Sequence, residues 1–108
     1  MTIMTVVHPE NASMEIWFGG NLDLTMTREI NRTCEKLTST VRFCMLDLRA
    51  VVRVFDSGLG LILMLCHHLK ALGAQMLVLG DFPEVNRLID VQFGSYPLDN
   101  QQNAEQVA

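Results

Sequence analysis

The chain has 108 residues, enough for one domain of ordinary size. Eight Lys and Arg against twelve Asp and Glu leave a net charge of -4, which excludes a nucleic-acid binder working through clustered basic charge. Hydrophobic residues make up 49% and charged residues 19%, too apolar a mixture for a disordered chain, so a packed core is expected. Met1 to His8 has neither the basic cluster nor the small-residue cleavage site of a secretory signal. The longest nearly pure apolar run, Gly58 to Cys66, falls well short of the roughly 20 residues that cross a bilayer. Cys34, Cys44 and Cys66 are scattered and odd in number, which fits reduced core thiols and a cytoplasmic setting.

In chain order, Ile3 to Val7 is rich in β-branched residues and reads as a strand. His8-Pro9-Glu10-Asn11 turns the chain. Met14 to Phe18 returns as a second strand, with Ile16 and Phe18 on one face and Glu15 and Trp17 on the other. Gly19-Gly20-Asn21 is expected to end that strand. Thr25 to Leu37 has helical spacing, with Ile30, Cys34 and Leu37 inward and Thr25 or Thr27 as the cap. Val41 to Leu48 is a third strand, and Arg49 to Phe55 a connection.

A long apolar helix follows over about Ser57 to Leu72, stopped by Gly73. Met76 to Leu79 is an uninterrupted apolar strand, expected to be covered on both faces. Pro83 opens a last helix to about Val91, with Val85, Leu88 and Ile89 at core spacing. Residues 98–108 form a polar tail beyond a single domain at 1–97. Strands and helices alternate from the second strand onward. That pattern predicts an α/β domain with a largely parallel sheet and an antiparallel edge pair.

The long helix holds the most informative choice. Leu59, Ile62, Leu63, Cys66 and Leu69 make one apolar face, and Leu61, Met64, Leu65 and Leu72 extend it around the circumference. Two arrangements fit. The helix is wedged between sheet and neighbouring helix, or Leu61, Met64 and Leu65 form an exposed strip that docks a partner. Just before it, Asp56 or Ser57 is placed to cap the free amides of its first turn. No Ser-His-Asp set, nucleophile elbow or phosphate-binding loop can be assembled, so neither an enzyme nor a cofactor is expected. His67 and His68 are adjacent and diverge on a helix, so they do not form a metal site. Arg49 and Arg53 flank the turn, where they can steady a phosphate or remain solvated.

Three stretches at this spacing resemble the STAS family of bacterial anti-sigma factor antagonists. Gly20-Asn21-Leu22-Asp23 is similar to the family's G-x-L-D turn. Met45-Leu46-Asp47-Leu48-Arg49-Ala50-Val51 is similar to its L-D-L-S-x-V strand end, and Asp56-Ser57-Gly58-Leu59-Gly60 to the D-S-S-G-L-G that opens its second helix. The resemblance spans Ile3 to Gly94. It implies a mixed sheet with helices mainly on one face. It also implies a non-catalytic protein that binds an anti-sigma factor and serine kinase of the histidine-kinase-like ATPase fold, with a phosphatase as a further partner. Phosphorylation of a serine in the D-S-S-G turn dissolves that complex. Carried onto this chain, the partner-binding residues are Asp23, Asp56, Ser57, Gly58, Leu59, Leu61, Met64 and Leu65.

The turn departs from the family by one residue. Asp47 and Gly58 lie eleven positions apart, the usual separation, so an ungapped match puts Asp56 at the phosphorylated serine and Ser57 at the second serine. A gapped match keeps Asp56-Ser57 as the D-S pair and makes Ser57 the modified residue. Under the first, a carboxylate of about -1 charge permanently occupies a position where phosphoserine would bring about -1.5 to -2. The resemblance leaves room for two other roles. One is an accessory subunit bracing the ATPase of a lipid-transporting ABC complex. The other is a non-phosphorylatable scaffold, a weak homodimer through the same apolar strip.

Overall fold

In the computed structural model, which describes residues 2–94, β1 (Thr2–His8) and β2 (Ser13–Leu22) pair antiparallel. The expected tail at 98–108 and the end of the expected domain lie outside the described residues. One turn of 3-10 helix, Pro9–Asn11, joins the two strands, and Ala12 leaves it in the left-handed region at φ 55. Alternation then sets the faces, as the sequence predicts: Met14, Ile16 and Phe18 are buried, while Glu15 and Trp17 point the other way.

β2 does not stop at Gly19. It runs on to Leu22, pairing parallel with β3 (Phe43–Val54) through two register shifts at Trp17/Gly19 and Gly20/Asn21, in each of which β3 carries an extra residue. Glycine here permits a bulge, and does not end the strand: Gly20 sits at φ 83, and a Cβ on Gly19 would lie 2.9 Å from the Thr2 hydroxyl. For the same reason β3 continues through the expected connection Arg49–Phe55. β4 (Gln75–Leu79) pairs parallel with β3, and the strand order is β1-β2-β3-β4. β4 is therefore an edge strand. The expectation that both its faces are covered fails, since Leu77 is 39% exposed. A short apolar run cannot by itself separate a central strand from an edge strand with one open face.

The helices take up the inward side of the sheet. Asp23, and not a threonine, caps the segment after β2: its carboxylate accepts from the Thr25 amide at 2.9 Å and from the Thr25 hydroxyl at 2.5 Å. A 3-10 turn, Leu24–Met26, leads into α1 (Thr27–Lys36). Its buried face is Ile30 and Thr33, with Cys34 only half-buried. Thr33 is tolerated inside because its hydroxyl donates to the Glu29 carbonyl at 2.8 Å. α2 (Asp56–Ala71) buries Gly58, Leu61, Ile62, Leu65, Cys66 and Leu69. It closes as predicted at Gly73, at φ 76, where the Ala74 amide donates to the Leu69 carbonyl. α3 (Pro83–Phe93) buries Val85 and Ile89. All these side chains join one core with the inward residues of β2, β3 and β4.

Candidate docking site

The site is built where β2 and β3 end together. Leu22 pairs with Val54, and the Phe55 amide donates to the Leu22 carbonyl at 3.0 Å, so the two strands stay zipped to the start of α2. The helix then turns hard against β2. A Cβ at Gly58 would lie 2.1 Å from the Leu22 carbonyl oxygen, so no side chain fits there without moving backbone. That contact fixes the corner. Gly60, two residues on, faces open space.

Phe55 is the N-cap, in extended conformation and without a side-chain capping bond. Asp56 and Ser57 occupy the first turn of α2, and both are exposed. The expectation that one of them caps the helix is thus corrected, because the chain is already helical at Asp56. A carboxylate in this turn still interacts favourably with the positive end of the helix dipole. Asp23 follows Leu22 directly, and the donors of Thr25, side chain first and amide second, hold its carboxyl below its usual range. The corner therefore presents two carboxylates and a hydroxyl around three zipped backbone segments.

Apolar groups surround it, but not those expected. Leu61 is 7% exposed and Leu65 fully buried, because the inward face of α2 is wide enough to pack against the sheet, α1 and α3 together. Both belong to the core, and the wedged arrangement is the one the helix adopts. Of the predicted strip only Met64, 38% exposed, remains accessible, and of the other expected partner-binding leucines Leu59 is half-buried. The strand ends supply what the sequence reading missed: Leu24, Val52 and Phe55 are all exposed. Val52 and Phe55 fall in the stretch Arg49–Phe55, whose apolar content marked it as more than a connection. Arg53 lies over the Phe55 ring, 4.9 Å from its centroid. Arg49 does not reach the corner, since its guanidinium is committed to Asp47 at 2.7 and 3.1 Å.

Trp17 is 39% exposed and donates to Glu15 at 2.9 Å. Burial pushes the Cys44 and Cys66 thiols up to about 12, so both are inert at neutral pH. Among the described residues no three His, Cys, Asp or Glu side chains group as metal ligands, and no helix is long and apolar enough to cross a membrane.

Among solved structures, the chain is similar to the anti-sigma factor antagonist SpoIIAA in its unphosphorylated form. The match has a TM-score of 0.65 and 18% identity, and covers 98% of this chain and 100% of that one. The chain has the STAS fold. The expected class holds: a mixed sheet with an antiparallel edge pair and helices packed on one face. A second neighbour is Mglu, with TM-score 0.61 and 22% identity over 70% of this chain. The matched part is only 19% of Mglu, so the same STAS-like unit also occurs inside a much longer chain. No protein-family model matches the sequence, and no curated protein matches it.

Proposed function

We propose that this STAS-fold protein is an anti-sigma factor antagonist-type regulator that acts by partner switching. The corner of Asp23, Asp56 and Ser57, with Leu59, Met64 and Phe55 beside it, docks on an anti-sigma factor and serine kinase of the histidine-kinase-like ATPase fold. It displaces the client held there. In this reading residues 1–97 are the working domain, located in the cytoplasm, with no catalysis or cofactor of its own. A phosphatase is needed only if the corner is modified.

One observation carries the proposal. The exposed start of α2 is pinned by Gly58 against the Leu22 carbonyl, in a fold that matches SpoIIAA over nearly its whole length. Both matches hold Gly58, the residue that must be glycine, at the family glycine; we take the ungapped one, which needs no deletion in the turn that Gly58 pins and puts Ser57 at the second serine and Asp56 at the switch. Asp56 is then a fixed negative charge, weaker than a phosphate, that keeps the complex below full affinity and insensitive to ATP.

The test is calorimetric titration of the chain into purified ATPase domains of anti-sigma kinases from the same genome, with ADP, followed by incubation with ATP and mass mapping. Binding that tightens in Asp56→Ser, with no phosphate on the parent chain, is the expected result. Phosphate on Ser57 would select the gapped match. Failure to bind any such domain, in both parent and Asp56→Ser, would overturn the proposal.

A further inference from the structure

The side of the sheet away from the helices carries no covering element among the described residues. Its residues stand in rows set by the strand register. Val6, Glu15, Met45 and Leu77 form one row. Met4, Trp17, Asp47 and Leu79 form the next. Phe43 stands beyond the first row, opposite Gln75. Met4 is 59% exposed, Phe43 56%, and Trp17 and Leu77 39% each. Three of the four strands are parallel neighbours, and sheets built that way are ordinarily covered on both faces. A contiguous apolar face spanning every strand is the mark of an association surface.

The polar groups in its middle are already satisfied. Glu15 accepts from the His8 ring at 2.7 Å and from the Trp17 indole at 2.9 Å. Asp47 accepts from the Arg49 amide and guanidinium, and the side chains laid over it leave it 3% exposed although it lies on the uncovered face. Such a face loses water without stranding a donor or a charge.

We infer that this open sheet face joins a second copy of the chain, face to face, in a symmetric dimer distinct from the corner at α2. Size favours that occupant, and charge disfavours an anionic bilayer. Strands about 4.8 Å apart and rows about 7 Å apart give a face on the order of 500 Å² in projection. Two such faces, larger still in accessible area, reach the roughly 1,000 Å² at which specific interfaces begin. Arg49 ends the face, one step past Asp47, and its guanidinium is 62% exposed. A two-fold axis running across the strands between the Glu15 and Trp17 rows exchanges the two ends of the face. Each Arg49 then stands over the row that holds the other copy's Phe43 and Gln75. An anionic bilayer would instead meet Glu15 and Asp47 as like charges.

Trp17 is the chain's one tryptophan and stands in the centre of the face, so it reports on the test. Sedimentation velocity and tryptophan emission are measured on the full chain over a concentration series. A reversible monomer–dimer equilibrium in the micromolar range is expected, with emission shifting to the blue as dimer forms. Met4→Glu and Leu77→Glu should each weaken dimerisation at least about tenfold while the circular dichroism is unchanged, whereas Met64→Glu on α2 should leave it intact. A chain that stays monomeric to high concentration overturns the inference, as does a dimer lost only in Met64→Glu. In the monomeric case, blue-shifted emission already at low concentration would assign the cover to the chain itself. A blue shift only on adding phosphatidylglycerol vesicles would assign it to lipid.

Discussion

The corner at the start of α2 and the open face of the sheet are both exposed, and they are exposed for opposite reasons. At the corner the backbone is locked, by Gly58 against the Leu22 carbonyl and by the Phe55 amide on the same oxygen, and the Asp56 and Ser57 side chains are left exposed. On the sheet the polar side chains are locked, Glu15 by His8 and Trp17 and Asp47 by Arg49, and apolar ones are left free. The first arrangement suits a surface read through charge, where one added or missing phosphate changes the outcome. The second suits a surface that closes once by excluding water.

The sharpest way to break the corner is Gly58→Ala. The new methyl runs first into the Leu22 carbonyl group, backbone that cannot give way cheaply, so a loss of about 3 kcal/mol or more in urea unfolding is expected. A cost below about 1 kcal/mol would mean that the pinning of α2 is not as described. Leu65→Ala should cost about 2–5 kcal/mol as a buried truncation, while Met64→Ala one position away should stay within about 0.5 kcal/mol. Equal effects would restore the exposed strip the sequence allowed.

Gly60→Ala meets no atom within 4 Å and lies in the same helix, so it should stabilise by about 0.5–1 kcal/mol. That makes the contrast with Gly58 internal to one turn. Acid sharpens the comparison on both surfaces. Asp47 is held below its usual range by the Arg49 hydrogen bonds, Glu15 by those from His8 and Trp17, and Asp23 by those from Thr25. Each folded pKa lies under the unfolded one. The stabilisation is therefore complete above the unfolded values, near about 4, and is lost as pH falls through the folded ones. A melting temperature that holds above pH 5 and drops below about 4, with a smaller drop in Asp47→Asn, is the expected result.

Much of this was legible in the chain itself. The alternation in Met14 to Phe18 predicted which side of β2 would be buried, Pro83 and Gly73 marked helix ends, and the order of elements predicted the mixed sheet. The corner was legible too, because Asp56-Ser57-Gly58 breaks the pattern between a strand and an apolar helix. The misses share one cause. Leu61 and Leu65 were offered as surface, Met76 to Leu79 as doubly covered, and Gly19-Gly20 as a strand end. Each of these depends on what lies next to the residue, and not on the residue itself.

Sequence by itself determined the local terms: period, turn chemistry, charge and the order in which strands and helices alternate. Those follow from the backbone and from neighbours within a few positions. Only the tertiary structure decided that β4 is an edge, that Asp23 caps the turn before α1, that α2 is covered by two helices and a sheet at once, and that the far face of the sheet is bare. Those outcomes depend on contacts between residues far apart in the chain, where a leucine in a core and a leucine on a surface read the same.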